Sequence, residues 1–344
     1  MTEPGQTLTR RELNRALLAR QMLLVRARSS LPVALERMAG LQAQYAPSMY
    51  IGLWSRLEGF ERDRLDTALR RRTVVQGTLM RSTIHLVSRR DYWPFAVAGR
   101  RARREWWLRA TKGSAVELQR AAERLRVRLA EGPVERRELE LIAGKGRAVG
   151  LGLWVDMVRV PPSGTWERRR ADLFGAAEEW VGPEDVSEDD AMLHLVRRYL
   201  SGFGPASRKD VAAFTGLPVR DVARALDRVQ VRTFRDEEGG ALLDLPRAPL
   251  PAAETPAPIR FLPTWDATLL VHARRTGILP ERHRPLVFNT KTPHSTSTFL
   301  VDGLVAGAWR FDAGRVKLEP FEPLGRAVSK ALDEEAERLA HLHR

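Results

Sequence analysis

The chain has 344 residues, which at about 100–200 residues per domain allows two or three domains, and its 43 % hydrophobic and 29 % charged residues are ordinary for a globular protein with a buried core. Lysine and arginine number 57 against 43 acidic residues, a formal net charge of +14, which points to a polyanionic partner such as nucleic acid. Cysteine is absent, which excludes disulfide scaffolds, zinc fingers, iron–sulfur clusters and thiol nucleophiles together.

Leu8 to Arg28 reads as a helix, with Thr9 as N-cap, Glu12 completing a capping box and Leu13, Leu17, Leu24 and Val25 at roughly helical spacing. A second helix, Leu31 to Ala39, stops at Gly40, and a third covers Arg62 to Arg72. The β-branched runs Thr73 to Met80 and Arg81 to Ser88 form a hairpin. Helices followed by a hairpin give the order of a winged helix-turn-helix, and that order recurs twice. Pro133 to Asp156 supplies helix, a turn with Gly144 and Gly146, and helix, with Val158 to Glu167 as a short wing. In the third unit Ala191 to Leu200 is one helix, and Ser207 to Gly216 is a second, capped by Ser207 with Asp210 at N3. Val219 to Val229 is the third helix, and Val231 to Arg235 with Ala241 to Leu245 forms a wing around a Gly-Gly turn. A Pro- and Ala-rich linker covers Pro246 to Pro258. Strands are expected at Ile259 to Leu262, Leu269 to Val271, Leu286 to Phe288, Thr298 to Val301 and Leu304 to Phe311, with Asp302-Gly303 as a two-residue hairpin turn; Ala327 to His341 closes the chain as a helix.

The expected fold is therefore α+β: three tandem winged helix-turn-helix motifs followed by a C-terminal β-rich domain. The corresponding boundaries are 1–130 for the first unit with a basic helical extension, 131–185 and 186–246 for the second and third, and 259–344 for the β-rich part with its terminal helix. No stretch reaches the ~18 apolar residues of a membrane span, and Met1 to Arg20 is too polar for a signal peptide. A cytoplasmic, nucleoid-associated protein without a membrane partner follows. The seven histidines include no helix-spaced ligand pair, and no P-loop, G-x-S-x-G, H-E-x-x-H or dinucleotide-binding pattern is present, so no metal and no cofactor is expected.

Only six of the 57 basic residues are lysine. Arginine forks bind phosphates and guanine edges, and a GC-rich genome would produce the same bias. The densest basic stretch runs from Arg89 to Arg128, with Trp93, Phe95, Trp106 and Trp107 interleaved. Within it Arg101 and Arg104 are candidates for DNA contact, the alternative for each being a solvated helix face. Arg81 at the hairpin tip is a further DNA-binding candidate, and His85 either contacts phosphate or is a structural strand histidine. The polar loop Asn289 to Ser295, with Lys291 and His294, either probes a groove or is a solvated tip. Asp266 and His272 are candidates for active-site support, and Asp266 serves equally as a turn cap. Between Gly40 and Pro47, where Pro47 blocks helix at Ala46, an extended chain puts Gln42 and Gln44 on one side. Two side-chain amides so placed can hold a water, or can satisfy loop backbone groups.

Five stretches taken together resemble the winged-helix DNA glycosylases of the AlkZ/YcaQ family. They are Gly40-Leu-Gln-Ala-Gln44; Gly77-Thr-Leu-Met-Arg-Ser-Thr-Ile-His85; Arg198-Tyr-Leu-Ser-Gly-Phe-Gly-Pro-Ala-Ser207 with Asp210; Arg260-Phe-Leu-Pro-Thr-Trp-Asp266 with His272; and Val301-Asp-Gly-Leu-Val-Ala-Gly-Ala-Trp309. They span most of the chain in the family's order. The resemblance implies tandem winged helices enclosing a DNA channel, a C-terminal β-rich domain, and a catalytic Gln–apolar–Gln element at Gln42 and Gln44. It implies as partner double-stranded DNA containing alkylated or crosslinked purines, the Gln version being associated with unhooking interstrand crosslinks. A purine alkylated at N7 is cationic and leaves as a neutral base, so positioned water and fixed dipoles suffice where a strong base is lacking. No catalytic lysine is evident, so a monofunctional glycosylase is expected, and one chain carries enough units to surround DNA as a monomer. The alternative is a non-catalytic winged-helix DNA-binding protein or regulator.

Overall fold

The computed structural model describes residues 6–144, 146–270, 277–288 and 295–344. It opens with strand β1 (Thr7–Leu8) and helix α1 (Arg10–Arg20). The capping box is present: the Thr9 hydroxyl accepts from the Glu12 amide, and the Glu12 carboxylate accepts from the Thr9 amide at 2.7 Å. The helix stops at Arg20, not Arg28. Met22 adopts a left-handed φ of 57°, and Leu23 and Leu24 leave the helix to join an apolar cluster with Leu262, Leu279 and Leu300. Their helical spacing reflected burial, which tertiary packing satisfies in another way.

Helix α2 (Leu31–Met38) ends at left-handed Ala39, and Gly40 follows at φ +78°. A Cβ on Gly40 would stand 2.9 Å from a methyl of Val87, so glycine lets the chain turn tightly into strand β2 (Leu41–Gln42). Helix α3 (Ala46–Arg56) then begins where Pro47 was expected to prevent it. The proline lies in the first turn, where its missing N–H has no intrahelical acceptor to lose. Helix α4 (Arg62–Arg70) leads to the expected hairpin, β3 (Val74–Thr78) and β4 (Ile84–Ser88), whose tip is a 3-10 turn at Met80–Ser82.

Two long helices follow, α5 (Arg89–Thr111) and α6 (Ala115–Leu129), capped by Ser88 and Ser114. Next come β5 (Val134–Glu135), α7 (Arg136–Ala143), α8 (Ala148–Leu151), β6 (Met157–Arg159), β7 (Leu173–Ala176) and α9 (Ala177–Val181). The elements expected after residue 186 are α10 (Glu188–Phe203), α11 (Arg208–Thr215) with its Ser207–Asp210 capping box, α12 (Val219–Leu226), β8 (Arg232–Asp236) and β9 (Ala241–Asp244). The C-terminal part holds β10 (Arg260–Leu262), α13 (Arg284–Val287), β11 (Thr298–Val301), β12 (Leu304–Asp312), β13 (Arg315–Pro320) and α14 (Arg326–His343). Asp302 and Gly303 both have positive φ, 46° and 81°, as the tight hairpin turn requires. Two expected strands are not found among the described residues, Val271 of the first lying outside them. Leu269 and Leu270 lie in a turn closed by the Leu269 amide on the Asp266 carbonyl, and Leu286–Val287 belong to α13. Short apolar runs do not distinguish a buried turn or helix from a strand.

Pairing ties distant segments together. A six-stranded sheet has the order β2-β4-β3-β6-β7-β5, joined across its middle by the pairing of Gly77 with Val158. A four-stranded sheet runs β10-β11-β12-β13, and β1 adds in parallel to the β8-β9 pair. The largest core packs α5 against α10 and the helices after it. A second joins α2, α3 and α4 to β10–β13 and α14, and a third is enclosed by α6, α7 and α8. Buried ion pairs bridge these parts: Arg20 of α1 grips Asp244 of β9 at 2.6 and 2.9 Å, and Arg56 of α3 meets Asp266 at 2.9 Å. Among the described residues no helix is long and apolar enough to cross a membrane.

Candidate active site

Gln42 lies in β2 opposite His85 of β4, and Gln44 follows two residues on, beside Ile84. The β3–β4 tip therefore carries Gln42, Gln44, Arg81 and His85 in one neighbourhood. Gln42 is nearly buried, at 7 % exposure, and an Arg81 N–H lies 2.9 Å from its side-chain oxygen. Gln44 is exposed, and the Ile84 backbone N–H donates to its side chain at 2.8 Å. Guanidinium and backbone N–H only donate, so in both glutamines the tethered atom is Oε1. Each Oε1 keeps a second lone pair, and each Nε2 keeps its hydrogens for a ligand.

Three arginines hold the tip in place. Arg81 has a left-handed φ of 52°, donates to the Phe214 carbonyl and stacks on the Phe214 ring at 5.0 Å. It passes against Gly216, where a Cβ would approach its Cγ to 3.2 Å. Burial lowers its pKa to about 10, so it remains a cation at neutral pH. Arg103 of α5 donates to the carbonyls of Thr78, Leu79 and Ala96 at 2.6–2.8 Å. Arg159 of β6 donates to the Thr78 hydroxyl at 2.9 Å.

His85 is 2 % exposed. Its Nδ1 lies 3.0 Å from the Thr83 carbonyl, which only accepts, so Nδ1 carries the hydrogen and Nε2 the lone pair. Burial, with the nearby Arg81 and Arg103 charges, lowers its pKa to about 3. The imidazole is neutral under ordinary conditions and offers phosphate no charge.

The other predicted residues are more dispersed. Arg101 is exposed on α5, 3.6 Å from Glu188 and 3.7 Å from Asp221. Arg104 donates to the Leu153 carbonyl at 2.8 Å and covers Trp154, tying α5 to the segment after α8. Asp266 is buried, paired with Arg56 and bonded to the Thr268 amide and hydroxyl, an arrangement that orders a turn. His272, Lys291 and His294 lie outside the described residues. The basic Arg89 to Arg128 stretch divides in two. Arg89, Arg103, Arg104, Arg124 and Arg126 donate to backbone carbonyls, and Arg100 pairs with Asp156 and Glu184. Arg90, Arg101, Arg109 and Arg120 are exposed, as is Trp106, whereas Trp93, Phe95 and Trp107 are core.

Two clefts flank the tip. One, of about 550 Å³, lies between Arg81 and Ser82, the Trp106–Arg109 side of α5, and Gly216–Pro218. The other, of about 270 Å³, is bordered by Gln44, Thr78, Ile84 and Arg159 on the sheet and by Leu139 and Val149 of α7 and α8. Sequence reading missed the contact of Arg159 with Thr78, because β6 is three residues long and its place beside β3 depends on a pairing across 81 residues of chain; Arg103, counted there with the basic stretch, instead holds the tip's carbonyls. Sequence reading also missed Tyr45, whose exposed ring stands next to Gln44 with its hydroxyl 3.1 Å from Arg169. An aromatic directly after the Gln–Ala–Gln run was the available signal.

No curated protein sequence matches the chain. Among solved structures the fold is similar to the Streptomyces sahachiroi DNA glycosylase AlkZ, with a TM-score of 0.82 at 19 % sequence identity, covering 98 % of this chain and 97 % of that one. A family profile described as DNA glycosylase AlkZ-like matches residues 35–342. The chain thus belongs to the AlkZ-like DNA glycosylase family.

Proposed function

We propose that this DNA glycosylase hydrolyses the N-glycosidic bond of N7-alkylated purines in duplex DNA, including those joined in interstrand crosslinks, using a water held by Gln42 and Gln44. The observation that carries the reading is the tethering of both amides through Oε1, by Arg81 and by the Ile84 amide. A water can donate to the remaining Oε1 lone pairs while its own lone pair faces C1′. In the reaction the C1′–N9 bond breaks and N9 keeps the electron pair, so the cationic base leaves neutral. The water oxygen bonds to C1′, and its surplus proton passes to solvent. Because the substrate supplies the positive charge that weakens the bond, the site needs position and oriented dipoles more than a strong base. Neutral, acceptor-bearing His85 and the two amides suit that demand. Among the described residues gathered at the tip none is lysine, which supports hydrolysis alone, without strand scission.

In this reading the helix and strand units at 1–130, 131–185 and 186–246 act as tandem winged helices along a DNA channel in a monomer. Exposed Arg101 and Arg109 contact phosphates, and the polar stretch of sequence with Lys291 and His294 probes the lesion. The test is incubation with duplex containing a single N7-methylguanine or a guanine–guanine crosslink. Release of free base and an alkali-labile site supports the reading; binding without release leaves a DNA-binding protein instead.

A further inference from the structure

The cleft beside Gln44 contains a cation without a counter-ion. Thr78 and Ile84 are paired across β3 and β4, and Arg159 is paired with Phe174 across β6 and β7, so these side chains border one cleft over the sheet. Arg159 donates to the Thr78 hydroxyl and lies 5.3 Å over the Phe174 ring. Its Nε is buried with no hydrogen-bond partner, and no carboxylate among the described residues pairs with it. Asp156, which also borders the cleft, is already held by Arg100 at 2.9 Å. A desolvated guanidinium with an unused donor is costly unless something else accepts from it. Arg136 and Ser82 also border the cleft, Arg136 being paired with Glu140 at 2.9 Å, and Met157, Phe174 and Val149 give the wall an apolar part.

On the basis of the excision reading above, we propose that this cleft receives the O6/N7 edge of an N7-alkylated guanine, with Arg159 donating to O6 and the hydrocarbon substituent on N7 lying against Met157, Phe174 and Val149. O6 and N7 share one edge of guanine, whereas adenine presents an amino donor in place of O6. Arg159 therefore favours guanine adducts and opposes adenine adducts, which would face donor with donor. The contact also strengthens as the reaction proceeds. In the substrate the base is cationic and its O6 a poor acceptor beside a guanidinium; as positive charge moves to the sugar, O6 gains electron density and the repulsion falls. Thr78 positions the fork, and at pH 7 Arg159, whose pKa burial lowers to about 10, still carries its charge.

The test compares wild type, Arg159→Met, Arg159→Lys and Thr78→Val in single-turnover excision from duplexes carrying N7-methylguanine or N7-methyladenine. The variants are checked for native melting, and titration with free N7-methylguanine is followed by tryptophan fluorescence. Wild type should prefer the guanine adduct, and Arg159→Met should lower its excision about 10- to 100-fold and the guanine-to-adenine ratio at least about tenfold. Arg159→Lys should recover part of the loss and Thr78→Val should show a smaller one. Free-base binding should weaken at least about tenfold in Arg159→Met. If wild type releases no base yet binds the free base through Arg159, the excision reading fails and the pocket stands. Equal losses on both adducts, or free-base binding indifferent to Arg159 in a natively melting variant, would overturn the proposal.

Discussion

Replacing Arg81 with methionine tests whether the tip arginine acts through Gln42 or through DNA phosphate. The guanidinium makes one charge-assisted hydrogen bond to Gln42 Oε1 at 2.9 Å and another to the Phe214 carbonyl. A hydrogen bond to a charged group contributes about 1.5–3 kcal/mol. If the whole of the first bond serves to aim Gln42, its loss lowers the excision rate about 10- to 100-fold, at roughly 1.4 kcal/mol per decade. Methionine retains most of the packing on Phe214, so the stability cost, chiefly the Phe214 carbonyl losing its partner, is about 1–3 kcal/mol. The assay is single-turnover release of N7-methylguanine from duplex, well below the melting temperature, alongside fluorescence anisotropy for duplex affinity. The expected result is slower chemistry with affinity within about threefold of wild type. Excision unchanged in a folded variant would refute the coupling to Gln42. A loss appearing wholly in affinity would return Arg81 to phosphate binding.

Other substitutions separate scaffold from site. Asp266→Asn leaves Arg56 buried without its counter-ion, and the urea midpoint should fall by the equivalent of about 3–5 kcal/mol while the folded protein still excises; lost excision at native stability would instead place Asp266 in the chemistry. His85 has a folded pKa of about 3, below its ordinary 6.5, so the unfolded chain binds more protons between those values. Its contribution to stability is complete above about pH 6.5 and declines as the pH falls toward 3. The melting temperature of His85→Asn should consequently depend less on pH than that of wild type across this window, and parallel curves would contradict the burial argument. Gly77→Ala would place a Cβ 2.6 Å from the Tyr92 ring and should destabilise by about 1–3 kcal/mol in a thermal melt; an unchanged melt would show that the ring yields freely. Duplex affinity should fall steeply between 50 and 200 mM salt, as phosphate neutralisation requires, and a flat dependence would remove the exposed arginines from the interface.

Much of the scaffold was legible because its signals are local. The Thr9–Glu12 and Ser207–Asp210 capping boxes, the β3–β4 hairpin and the Asp302–Gly303 turn each depend on neighbouring residues, and each is present. The misreadings share a physical origin. Leu23 and Leu24 continue a helical spacing for reasons of burial, and Pro47 begins a helix as readily as it ends one. The site divides in the same way. Gln42 and Gln44 stood out through alternation and through the family resemblance, but their partners Arg81 and Ile84 lie about forty residues away. Arg159 reaches Thr78 only because β6 pairs with β3, and no periodicity within a three-residue strand carries that register. The arginine-rich helix α5 looked like a DNA face, whereas several of its guanidinium groups end on backbone carbonyls.

The central claim, that Gln42 and Gln44 together hold the attacking water, is tested most directly by single-turnover excision of N7-methylguanine in a double-mutant cycle of Gln42→Ala, Gln44→Ala and the pair. Groups that share one water should be strongly non-additive. Each single variant should lose about 100-fold or more, and the pair little beyond the larger single loss, with duplex affinity within about threefold of wild type. A double variant that releases base at the wild-type rate would contradict the account, as would two independent losses that simply multiply.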